Sequence, residues 1–165
     1  MNSRPSLAGI VATIFSAGVL VVNVFLDIDE PVWLTGIGLL CLGLAVLFAV
    51  PPFFHLKRFG APEAEDVYFA TTRVVDKGVY SLVRHPQYLG YTLLVFGFSC
   101  IDPHPVSIGL AVGAAIAFYV QSIAEERFCC GQLEQEYRDY MLRVPRFNFL
   151  SGLCRLVFEK KPVRW

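Results

Sequence analysis

Charge is what this chain has least of. Asp, Glu, Lys and Arg make up 17% of its 165 residues, against 55% hydrophobic residues, and the formal net charge is zero. No basic excess is on offer to a phosphate backbone, so nucleic acid is not the expected partner. So apolar a composition also argues against a soluble domain of this length; a multi-span membrane protein is the natural class. The five cysteines, Cys41, Cys100, Cys129, Cys130 and Cys154, lack the spacing of a zinc site or a disulfide framework. Reduced thiols are expected, with no bridge and no metal. No small-x-small cleavage site follows the first apolar run, which is too long for a signal-peptide core, so it is read as a retained span.

What is present is a series of uncharged runs. Leu7 to Leu26 is 20 residues long, enough at about 1.5 Å per residue to cross a hydrocarbon core of about 30 Å. The acidic turn Asp27 to Pro31 separates it from a second run, Val32 to Phe54, which Pro51 and Pro52 end or kink. The third, Tyr88 to Ile101, is short even when its helix is begun at Pro86, a residue suited to the first helical position. From there it reaches only about 24 Å, so its start is expected to be recessed into the membrane boundary. Val106 to Ala124 is the fourth, with Gly109, Gly113 and Ala117 as a small-residue packing stripe. It passes without a break signal into Glu125 to Val144, which reads as one long helix leaving the membrane. The expected fold is all-α: a single polytopic membrane domain over 1–165, about four transmembrane helices (7–26, 32–54, 86–101, 106–124) and a cytoplasmic helical extension (125–144).

All 14 Lys and Arg residues fall on one side of this arrangement, while the two opposite loops hold Asp27, Asp29, Glu30 and Asp102. The positive-inside rule makes the basic side cytoplasmic, both termini included. That means the inner membrane of a prokaryotic cell or the endoplasmic reticulum of a eukaryotic one.

Two polar motifs interrupt the apolar pattern on that side. The stretch Gly78 to Gly90, GVYSLVRHPQYLG, crowds Arg84, His85, Pro86 and Tyr88 against a helix start. Ionisable groups at such a boundary are costly and point to function, although anchoring among headgroups would use the same residue types. Glu125 and Glu126 open the second motif, which continues to YRDYMLRVPRF at Tyr137 to Phe147. Adjacent carboxylates need a cationic partner or a solvated face.

Together the motifs resemble the membrane methyltransferases typified by isoprenylcysteine carboxyl methyltransferase and phosphatidylethanolamine N-methyltransferase. The resemblance covers Thr71 to Phe147. It implies S-adenosylmethionine as methyl donor, with Tyr80, His85, Pro86, Gln87 and Tyr88 lining its site and Glu125, beside Glu126, holding its ammonium or ribose. Thr72, Arg73, Val74 and Val75 match a cofactor-contacting stretch of the isoprenylcysteine branch. Arg84 and His85 are the catalytic candidates, one to orient an anionic acceptor and the other to take a proton. Gln121 stands where that branch has a substrate-facing arginine, which weakens a prenylcysteine carboxylate as the acceptor. Leu133 and Glu134 also depart from the family's Phe-Gly. The implied acceptor is a lipid-like or prenylated molecule among membrane lipids. A membrane reductase using NADPH and a non-enzymatic bundle, haem-binding through His55, His85 or His104, are the rival classes.

Overall fold

The computed structural model describes residues 6–26, 31–59 and 73–158, and over these it is all-helical. The elements are α1 (Leu7–Phe25), α2 (Val32–Ala49), α3 (Pro51–Phe59), a 3-10 turn (Gly78–Ser81), α4 (Pro86–Ile101), α5 (Pro105–Gln132), α6 (Glu134–Arg143) and α7 (Phe149–Phe158). Proline opens three of them, because its missing N–H is one that a first helical turn leaves unpaired anyway. Pro51 and Pro52 remove two donors in succession, so the helix bends at Val50 and restarts, reaching Phe59 rather than stopping at Phe54.

Among the described residues, three stretches are long and apolar enough to cross a membrane: Leu7–Phe25, Val32–Phe59 and Pro105–Gln132. The fourth expected span, α4, has 16 residues and falls short of that length. Thr72 and the segments 27–30 and 60–72 lie outside the described residues.

Two compact units share the chain. The first holds 1–47 and 90–124. Its helices meet where side chains are smallest: a Cβ on Gly38 would stand 2.7 Å from the Gly97 carbonyl oxygen, so α2 and α4 touch backbone to backbone. On α5, Gly113 of the expected stripe faces the Phe15 ring of α1, whereas Gly109 faces open space. Polar side chains bind the same helices. Asn23 donates to the Phe98 carbonyl at 2.7 Å, and Ser107 donates to Asn23 at 2.8 Å. Such bonds count where lipid supplies no hydrophobic drive.

The second unit holds 48–89 and 125–165. The helix expected to run unbroken from 106 to 144 divides here at Leu133, and Glu134 takes a left-handed φ of 44°. The turn folds Tyr137, Tyr140 and Val144 back onto Cys129, Cys130 and Leu133, so side-chain burial outweighs helix continuity. The 3-10 turn begins at Gly78, with φ 57°, directly under the His55 imidazole.

Gly78 thus needs both a left-handed backbone and an absent side chain. Gly78→Ala should lower stability by at least about 1–3 kcal/mol from backbone strain alone. Gly109→Ala, in open helical space, should hold or raise the melting temperature measured in the same detergent.

Candidate active site

The two polar motifs are paired through the backbone within the second unit. The Arg84 N–H donates to the Pro145 carbonyl at 2.9 Å and the His85 N–H to the Arg146 carbonyl at 3.3 Å. The turn ahead of them is fixed by its own bonds: Ser81 Oγ donates to the Gly78 carbonyl at 2.6 Å, and Tyr140 OH to the Tyr80 carbonyl at 2.7 Å. Burial pushes the Tyr140 phenol well above its ordinary range, and Tyr137 likewise, so both stay neutral and able to donate.

Glu126 is the centre of the cluster. Its side chain is 4% exposed and is gripped by the fork of Arg146, with Nε at 3.0 Å from Oε1 and Nη2 on Oε2. Arg84 Nη2 stands 3.3 Å from Oε1, and His85 Nε2 donates to the same oxygen at 3.2 Å. A carboxylate accepts only, so Nε2 carries the proton of that bond. The His85 ring is stacked on Tyr88, centroids 5.7 Å apart, and meets the edge of Phe147 at 6.1 Å. Its other nitrogen, Nδ1, lies 3.8 Å from Glu125 Oε2, on a side chain that is 43% exposed.

The expected residues therefore divide by role. His85, Tyr88, Glu125 and Glu126 come together, and Tyr80 and Pro86 are buried beside them in sequence. Arg84 spends its guanidinium on Glu126 and on the Met141 carbonyl, 3.3 Å from Nη1. Val74 packs on the tyrosine cluster, Val75 is buried and Arg73 is exposed. Gln87 is half-buried in the first turn of α4. Gln121 belongs to the first unit, where the Ser6 hydroxyl donates to its Oε1. Arg146 was not expected here; a basic residue just past a stop-signal proline reads from sequence as a helix-dipole partner. His55 bonds the Pro51 carbonyl through Nδ1 at 2.8 Å.

As a donor set, this leaves one carboxylate available to a cationic or hydrogen-bond-donating group. Glu125 is a carboxylate not drawn into the arginine fork, beside an imidazole and the positive end of α4. Among the described residues no cluster of metal-ligating side chains occurs.

Comparison with known proteins agrees in kind. The family model described as phospholipid methyltransferase matches residues 33–136. Protein-S-isoprenylcysteine O-methyltransferase of Xenopus laevis is 27% identical over 140 residues, covering 79% of this chain and 46% of that protein. Protein-S-isoprenylcysteine O-methyltransferase B of Arabidopsis thaliana is 26% identical over 121 residues, 68% of this chain and 58% of that one. The chain spans about half the length of these relatives, and no solved structure matches it.

Removing the carboxylate at the centre would leave the buried Arg84 guanidinium and the part-buried Arg146 guanidinium without a counter-charge. Glu126→Ala should cost about 3–5 kcal/mol in thermal or denaturant unfolding. Arg143→Ala, which breaks a pair with Asp76 at 3.7 Å on a half-exposed surface, should cost no more than about 1 kcal/mol.

Proposed function

Since the chain belongs to the phospholipid methyltransferase family, we propose that it transfers a methyl group from S-adenosylmethionine to a lipid-like or membrane-partitioned acceptor. The observation that carries this is the geometry at His85, whose Nε2 is locked to Glu126 while Nδ1 is turned toward the half-exposed Glu125. When bound, S-adenosylmethionine supplies a sulfonium-activated methyl group, which leaves with the carbon–sulfur bond pair returned to sulfur as the acceptor's lone pair forms the new bond.

Everything else is the work of the chain. Glu125 and the N-terminal end of α4 hold the charged ends of the cofactor, and Tyr80, Pro86, Gln87 and Tyr88 line its site. Val74 and Val75, with Thr72 and Arg73 before them, flank it in sequence. His85 takes a proton at Nδ1 from a neutral acceptor, and Glu126 and Glu125 stabilise the imidazolium so formed. Arg84 and Arg146 position Glu126 and so the imidazole. Methyl transfer needs alignment more than acid or base strength, and near-attack positioning supplies about 7–11 kcal/mol.

Two acceptor classes follow from the relatives, a prenylcysteine carboxylate and a phospholipid amine. By the family resemblance Gln121 stands where the isoprenylcysteine branch carries an arginine, and a neutral side chain at that position favours a neutral acceptor over a carboxylate. The basic segments face the cytoplasm in this reading.

Calorimetric titration with S-adenosylhomocysteine in detergent and lipid tests the assignment. Wild type should bind. Glu125→Ala and His85→Ala should each bind roughly 10- to 100-fold more weakly, the weight of a hydrogen bond to a charged group. Unchanged binding in both variants would place the cofactor elsewhere.

A further inference from the structure

Helix α7 carries more apolar surface than the packing of its unit uses. Its sequence, FLSGLCRLVF, has one charged residue, and Arg155 turns inward to donate to the Ser81 carbonyl. Gly152 faces the same way, where a Cβ would collide with the Leu82 backbone. At the helix start Phe149 meets Phe48, ring centroids 5.6 Å apart. Outward point Leu150, Leu153, Val157 and Phe158, between 49% and 81% exposed, with Cys154 among them. At 3.6 residues per turn these form one continuous arc. Ser151 is the only polar side chain among the exposed residues of the helix.

Water is a poor occupant for such an arc, and the surroundings indicate a better one. Phe48 lies one residue before α2 ends at Ala49, within the stretch Val32–Phe59 that is long and apolar enough to span a membrane, so its contact with Phe149 seats the start of α7 against that stretch, close to its bend at Val50. Next along that stretch, Phe53 and Phe54 of α3 are also exposed, and Lys57 and Arg58 occupy its last turn. In sequence α7 is followed by Lys160, Lys161, Arg164 and Trp165. Exposed aromatics and apolar side chains bordered by basic residues match the chemistry of a bilayer interface with anionic lipids.

We infer that α7 lies in the bilayer interface with its Leu150–Phe158 arc in the acyl boundary, and that its inward face holds the turn 78–83 at that depth. The contacts of Arg155 with Ser81 and of Gly152 with Leu82 make the link, since Arg84 and His85 follow directly. An acceptor arriving through lipid would then meet His85 without leaving the membrane; this last consequence rests on the methyl-transfer reading, and the lipid contact does not.

The test uses the full chain in vesicles of phosphatidylcholine and phosphatidylglycerol. A photoreactive benzophenone side chain is placed at Leu153 or Val157, with Asp139 of the polar helix α6 as control. Adducts of phospholipid mass at 153 and 157 and not at 139 are expected. Crosslinks to a second copy, or no lipid adduct at either position, would overturn the assignment. A nitroxide on Cys154, with the other cysteines replaced, gives an independent reading: collision with oxygen and a nickel chelate should place it about 5–10 Å below the phosphates. A label fully in water would overturn the inference even if the photoprobe variants fail to fold. Neither measurement uses methyl transfer, so failure here leaves the enzymatic reading standing.

Discussion

One buried carboxylate holds the second unit's polar chemistry together. Glu126 is out of water, and such a group is tolerated only when opposite charge and hydrogen bonds replace its hydration. Arg146 supplies a fork, Arg84 a second cation and His85 a ring N–H. Arg84 and His85 come from the first motif and Arg146 from the second, and the two motifs are joined as well by two backbone hydrogen bonds, by Tyr140 OH on the Tyr80 carbonyl and by Arg84 on the Met141 carbonyl. The carboxylate is therefore both the electrostatic centre and a tie between two segments far apart in sequence. Its neighbour Glu125, one residue earlier on the same helix, lies outside this grip and keeps a half-exposed carboxylate.

Legibility in the sequence followed the physics of each feature. The helix start at Pro86 was readable because proline acts locally, whereas Pro51 read as a stop or kink and not as the start of α3, and α5 begins at Pro105, one residue ahead of the expected run. The runs of α1, α2 and α5 were readable because spanning a membrane needs only length and apolarity. The division at Leu133 was not, since neither residue at the break is a glycine or proline; tertiary burial of Tyr137 and Tyr140 decides it. The site shows the same contrast. His85 and the two glutamates announced themselves as ionisable groups at a membrane boundary, but which glutamate would be enclosed depended on the rotation of α5. The role of Arg146 depended on a backbone pairing that spacing alone does not encode.

The two units use different adhesives. In the first, Gly38 with Gly97 and Gly113 with Phe15 bring helices close by removing side chains, and Asn23, Ser99 and Ser107 add a small polar network. In the second, aromatic packing and charge-assisted bonds dominate, from the tyrosine cluster to the fork on Glu126. Van der Waals packing of small residues needs no hydrophobic drive, whereas charges out of water need the paired, hydrogen-bonded arrangement seen on Glu126.

The shortness of α4 bears on where such a protein settles. Its 16 residues reach about 24 Å, some 6 Å less than an average hydrocarbon core. Each ångström of mismatch costs a fraction of a kcal/mol in thinned bilayer or strained flanking contacts. If α4 crosses the bilayer, as the sequence leads one to expect, a thin membrane would accommodate it with less distortion than a thick, sterol-rich one.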